Sequence, residues 1–124
     1  MTDLAERRCK PCEGGVQPLG KAQALELGAQ VASWSLDDAG TRISKTYQFK
    51  NYYQTMAFVN AVAWVAHHED HHPDMEVSWN RCVVHYTTHA INGLSENDFI
   101  CAAKVDHLFM GEQGQSGTIT AQGT

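Results

Sequence analysis

The chain has 124 residues, 43% of them hydrophobic and 19% charged, with a formal net charge of −5 and a pI near 5.7. That length holds one compact domain with one core and leaves no room for a second. The acidic balance offers phosphates no basic field, which argues against direct nucleic-acid binding, and no apolar run reaches the length of a membrane span.

The first stretch, MTDLAERRCKPCEGG, lacks the apolar segment of a secretory signal, so a cytoplasmic location is expected. In a reducing compartment the four cysteines are expected as free thiols, with Cys82 and Cys101 sitting in apolar patterns as small buried hydrophobes. Cys9 and Cys12 form one C-x-x-C without a second pair at matching spacing, half of a structural zinc site. A flexible, solvated segment over residues 1–13 is the simpler reading. At the other end, residues 111–124 are mostly Gly, Gln, Ser and Thr with almost nothing apolar, which predicts a disordered tail. The working domain is then residues 14–110.

Apolar spacing after Pro18 predicts a short helix from about Lys21 to Gln30. Ser33 to Leu36 and Thr41 to Phe49 read as two strands joined by the turn Asp37-Asp38-Ala39-Gly40, with Ile43, Tyr47 and Phe49 on one face. Asn51 is a natural N-cap for a long helix to about His68, striped by Met56, Phe58, Val59, Val62, Ala63 and Val65. Pro73 disfavours helical geometry at His72, so that helix ends near His71. Two further strands follow, Met75 to Trp79 and Arg81 to Thr88, and Ser95 with Asp98 three residues on resembles a capping box that opens a last helix to about Phe109. The sum is α+β, in the order α-β-β-α-β-β-α, best closed as a four-stranded antiparallel sheet with helices on one face.

The stretch Ala66 to Met75, AHHEDHHPDM, contains a literal H-E-x-x-H at His68 to His72. A zinc protease needs those two histidines one turn apart on a continuous helix, with the glutamate beside them and a third ligand further on. His72 directly precedes Pro73, and only Glu76, Glu96 or His107 are on offer as a third ligand. The metalloprotease reading therefore fails on geometry. His67 and His68 are accounted for as favourable charges at a helix C-terminus. A further pair, His71-His72, on a proline-locked loop and then His89 just past a strand end, is not, and that constellation asks for a site.

The order His67-x-x-x-His71-His72-Pro73, then Trp79, His89 and Asp98, resembles the motif of the pterin-4a-carbinolamine dehydratases. The stretches Ala57 to Trp64, Thr87 to Ala90 and Gly93 to Asp98 are similar to the same family, and the likeness covers about residues 9–108. One departure is His67, where many members carry a glutamate. The resemblance implies the α-β-β-α-β-β-α fold and a hydro-lyase that removes water from 4a-hydroxytetrahydrobiopterin, recycling the pterin cofactor of aromatic amino acid hydroxylases. It implies no cofactor and no metal, the pterin being the substrate. It also implies His71, His72 and His89 as the catalytic set, with Trp79 joining His71 and His72 in substrate binding and His67 and Asp98 in support. Homodimers or homotetramers are implied, and a non-catalytic role as pterin binder or dimerisation cofactor of a transcription factor is the alternative.

Such a dehydration needs an acid at the 4a-oxygen and a base at N5, and groups titrating near neutrality suit both. Three clustered histidines do not all stay protonated, so they hold a mixed acid and base state. By matching positions His71 is the acid, His72 contacts the pterin or shares that role and His89 is the base, with acid and base labels exchangeable. Asp98 is expected chiefly as a cap that fixes the loop carrying His89, and Trp79 chiefly as core beneath the pocket. His85 is expected at the surface or a subunit interface, and His107 as a charge near the last helix end.

Overall fold

A computed structural model describes residues 4–11 and 17–114, with side chains through residue 108. Cys12 and residues 115–124 lie outside the described residues, and with them one half of the C-x-x-C and most of the expected tail. Three α-helices, α1 (Lys21–Gly28), α2 (Tyr52–Glu69) and α3 (Glu96–Gly114), accompany four strands, β1 (Ser35–Leu36), β2 (Ile43–Gln48), β3 (Asp74–Ser78) and β4 (Arg81–Tyr86). The strands are all antiparallel in the order β1-β2-β4-β3. This is the expected α+β architecture and element order. Short 3₁₀ turns at Leu4–Glu6, Ala29–Val31 and His89–Ile91 complete it.

Alternation along the strands decides which face is covered. Ile43 and Tyr47 on β2 and Cys82, Val84 and Tyr86 on β4 are buried, while Thr46, Gln48 and Arg81 are exposed. Register sets Tyr47 beside Cys82 and Ile43 beside Tyr86, so these side chains form one apolar surface. Phe58 and Val62 of α2 and Phe99, Ile100 and Val105 of α3 fill the core with it. Phe58 lies 4.5 Å from the Tyr47 ring, centroid to centroid. On the open face His85 is held by two cross-strand neighbours, Ser44 Oγ at 2.5 Å from Nδ1 and Glu76 Oε2 at 2.6 Å from Nε2.

The ends of α2 follow local chemistry. Asn51 Oδ1 accepts from the Gln54 backbone N–H at 2.8 Å, the expected N-cap. At the other end Asp70 takes the left-handed conformation (φ 53°), its N–H donating to His67 O and that of His71 to Ala66 O. This pair of bonds is a Schellman closure, with an aspartate at the position glycine usually fills. Only Asp70 to Pro73 then separate α2 from β3, so His71 and His72 are carried on a short, fixed connection.

Two expectations about the chain ends need correction. Where residues 1–13 read as flexible, residues 4–11 are packed: Leu4 is 2% exposed, Cys9 N–H donates to the Glu69 carboxylate, and Lys10 N–H and C=O both bond the Asn97 side chain. The sequence hides this because its anchors are polar groups 60 or more residues away. Helix α3 continues to Gly114 rather than stopping near Phe109, so His107 lies inside a helix and not at its end. Substituting Phe58, fully buried, by Ala is expected to cost about 3–5 kcal/mol in urea unfolding, and Leu25→Ala, at a residue 58% exposed, less than about 1 kcal/mol.

Candidate functional site

Antiparallel pairing of β3 with β4 puts the start of one beside the end of the other, Asp74 opposite His85. Whatever precedes β3 therefore meets whatever follows β4 at one end of the sheet. His71 and His72 precede β3, and His89 follows β4. All three line a cavity of about 510 Å³, the His72 and His89 rings stacked with centroids 6.3 Å apart. The remaining walls come from the turn at the end of α2 (His68, Glu69, Asp70), from Thr87, Thr88, Ala90 and Asn97, and from Arg8 to Pro11 of the packed N-terminal strap formed by residues 4–11.

The most constrained member is His71. Its Nε2–H donates to Asp98 Oδ1 at 2.6 Å, and its ring lies parallel to Tyr86 at 5.7 Å. Asp98 is fully buried in the first turn of α3, where the helix dipole favours a negative charge. Its second oxygen accepts from Thr88 Oγ1 at 2.8 Å and from the Ser95 N–H at 2.9 Å. The expected cap bond is thus present, but the same carboxylate also holds a site histidine directly, which the cap reading missed. The Ser95 hydroxyl turns to Thr88.

The loop carrying His89 is closed by paired bonds between Thr88 and Gly93 and by Asn92 in the left-handed region. A Cβ on Gly93 would lie 2.7 Å from Pro18 Cβ, so the loop seats against the chain ahead of α1 only because that residue is glycine. His89 itself is solvent-facing, with Nε2 3.8 Å from Asp74 Oδ2.

Other sequence-predicted residues fall elsewhere. Trp79 sits in the β3–β4 turn and is 62% exposed, so it neither fills the core nor walls this chain's cavity. It lies at the far end of a five-residue strand, roughly 17 Å from the histidine end. His67 is exposed on the last turn of α2 and does not line the cavity. His68 does, its ring stacked on Trp64 at 4.8 Å. For the H-E-x-x-H, the left-handed Asp70 interrupts the helix between His68 and His72, as Pro73 led one to expect.

Glu69, the would-be catalytic glutamate of that motif, is an anchor. Its side chain is 1% exposed and takes the Cys9 N–H at 2.8 Å, with Arg8 Nε at 3.1 Å and Lys104 Nζ at 3.7 Å. Burial alone would raise its pKa, but the Cys9 N–H and the Lys104 and Arg8 charges outweigh that and hold the carboxyl below the usual glutamate range.

Fold and cavity define an α+β protein that gathers histidines at one end of an antiparallel sheet. The chain belongs to the pterin 4 alpha carbinolamine dehydratase family, whose model matches residues 17–108. A protein of Nitrosomonas eutropha with a provisional designation as a pterin-4-alpha-carbinolamine dehydratase is 69% identical over 111 residues, which cover 89% of this chain and 96% of that one. Among solved structures, a transcriptional coactivator/pterin dehydratase from Brucella melitensis aligns with TM-score 0.70 and 27% identity, over 74% of this chain and 98% of that one. A pterin dehydratase-like protein described as a RuBisCO assembly factor of the alpha-carboxysome aligns with TM-score 0.54 and 25% identity, over 61% and 88%.

The strap, residues 4–11, precedes the family match, and Glu69 is one of its ties. A carboxyl held low in the folded state adds stability above its ordinary pKa of 4.5, and that contribution is lost as pH falls through the lower folded value. Glu69→Gln is therefore expected to lower the urea midpoint at neutral pH. The gap to the parent should shrink in titrations carried below pH 4.5, and a gap that stays constant there would show that the charge is not its source.

Proposed function

We propose that the protein dehydrates a 4a-hydroxytetrahydropterin to the quinonoid dihydropterin by histidine acid and base catalysis, with the pterin as substrate and no cofactor. The observation that carries this is the His71–Asp98 bond at 2.6 Å on the wall of a cavity that His72 and His89 share. A cavity of about 510 Å³ falls in the size range of small-molecule sites.

Loss of the 4a-hydroxyl as hydroxide is slow, and its loss as water is easy once a proton reaches the oxygen. The C4a–O bond breaks, the N5 proton departs, and the N5 electron pair closes the C4a–N5 double bond. A buried carboxylate on Nε2 fixes the orientation of the His71 ring and leaves Nδ1 as the nitrogen that can transfer a proton, and we assign His71 as the acid on that geometry. His89, its side chain 66% exposed and its ring on the same cavity, is assigned as the base at N5. His72, stacked with it, contacts the pterin or shares the acid role. Asp98 acts through His71 and does not touch the substrate.

Cytoplasmic recycling of the pterin cofactor of aromatic amino acid hydroxylases is the role that fits this chemistry; among the described residues no helix is long and apolar enough to cross a membrane. We also place the protein in a homodimer or homotetramer. Tyr53 and Trp64, 71% and 62% exposed, lie on one side of α2 and give a second copy an apolar surface to cover.

Stopped-flow turnover of a synthetic 4a-hydroxytetrahydropterin tests the reaction. His89→Ala and the double replacement of His71 and His72 by Ala are each expected to slow dehydration by about 10²–10⁴-fold. A wild-type rate in His89→Ala would remove it from the mechanism, and a folded parent that binds the pterin without turnover would make this a binding protein. Asp98→Asn, which leaves the Ser95 N–H or His71 badly paired, should lower kcat with little change in KM. For the assembly, Tyr53→Glu is expected to shift sedimentation toward a smaller species, and an unchanged profile would move the interface off α2.

A further inference from the structure

The strap that walls the cavity carries a thiol that the proposed dehydration does not use. Cys9 lines the cavity and is half-buried, and its Sγ lies 3.5 Å from Sγ of Cys101, a fully buried residue of α3 that is 92 positions away in sequence. Asn97 O lies 3.7 Å from the Cys9 sulfur and His71 O 4.0 Å from that of Cys101, and the buried Tyr86 side chain also interacts with Cys101. Two thiols in contact, one on the wall of the cavity and the other shielded behind it, have the arrangement of an attacked and a resolving cysteine. Cys82, by contrast, is buried in the sheet, where desolvation pushes its thiol up to about 11, and has no such partner among the described residues.

We propose that Cys9 and Cys101 are a peroxide-reactive thiol pair that closes to a disulfide and locks the strap onto α3. Hydrogen peroxide or a small organic hydroperoxide enters through the cavity. The Cys9 thiolate attacks the peroxide oxygen, the O–O bond breaks, and Cys9 becomes a sulfenic acid while the other oxygen leaves as water or alcohol. The Cys101 sulfur then attacks the Cys9 sulfur, the S–O bond breaks, and the departing hydroxide takes the Cys101 proton as a second water. Two thiols give up two electrons and one peroxide accepts them. Cys9 lines the cavity and Cys101 does not, so Cys9 is the residue the oxidant meets first; the hydrogen bond with Cys9 and burial also push the Cys101 thiol up.

A link between residues so far apart removes much freedom from the unfolded chain, and here it also pins the wall formed by Arg8 to Pro11. The strap is otherwise held without covalent links, by Leu4 in the core and by hydrogen bonds and ion pairs to Glu69, Asn97 and Glu96 among others.

The test uses the whole chain and needs no turnover. Protein treated with equimolar hydrogen peroxide is alkylated and digested with trypsin and a glutamate-specific protease, which separates Cys82 from Cys101 at Glu96. The expected product joins the peptide of Cys9 to that of Cys101, is reversed by dithiothreitol, and forms equally in Cys12→Ser. In Cys12→Ser, oxidation should also raise the thermal midpoint by roughly 5 °C or more, an effect absent from Cys9→Ser. A Cys9–Cys12 link in the parent, or Cys9 carried to sulfinic acid while Cys101 is recovered as an alkylated free thiol, would overturn the proposal. So would a Cys9–Cys101 link that leaves the midpoint unmoved, since the strap would then not be locked by it.

Discussion

One carboxylate sets the geometry on which the rest of the site depends. Asp98 is fully buried, and a buried carboxylate without partners would cost several kcal/mol. Its oxygens are met by three donors from three places: His71 ahead of β3, Thr88 at the exit of β4 and the Ser95 N–H at the start of α3. The charge therefore draws together the loops that carry the histidines and the helix that closes the core behind them. A single group serves as helix cap, loop clamp and histidine partner, so its burial costs are offset by contacts that also order the cavity.

Much of this was legible in sequence because it rests on local chemistry. Alternation from Thr41 to Phe49 put Ile43 and Tyr47 on one face, Asn51 named a helix start, and Pro73 set the helix end within two residues. Spacing also put His71, His72 and His89 beside one another once β3 and β4 paired. The parts that were not legible depend on partners distant in sequence. Nothing around Cys9 announces that its N–H meets a carboxylate at position 69, or that Asn97 grips Lys10 through two backbone bonds. Trp79 misled in the opposite direction: a large aromatic beside a strand is usually core, but this one belongs to a tight turn at the sheet end remote from the cavity.

The run His68-Glu69-Asp70-His71-His72 shows how one short pattern can be divided among separate tasks. His68 stacks on a tryptophan, Glu69 faces inward to tie the strap, Asp70 reverses the chain, and the last two reach the cavity. The division follows from the helix ending inside the motif: residues before Asp70 obey a helical period, and those after it obey the extended geometry of the approach to β3. The aspartate at the left-handed position is tolerated because its short polar side chain suffers less there than a branched one.

The connection from Asp70 to Pro73 also limits how this part of the fold can diverge. It is closed at one end by the Schellman bonds and at the other by the β3 ladder, with no slack between them. Inserting or deleting one residue would slip β3 by one position and turn Met75, now facing the core, toward solvent, while bringing Glu76 inward. Change here is confined to substitution at constant length, whereas the β1–β2 turn, exposed at Asp38 and Ala39, can lengthen without disturbing the pairing that holds the histidines.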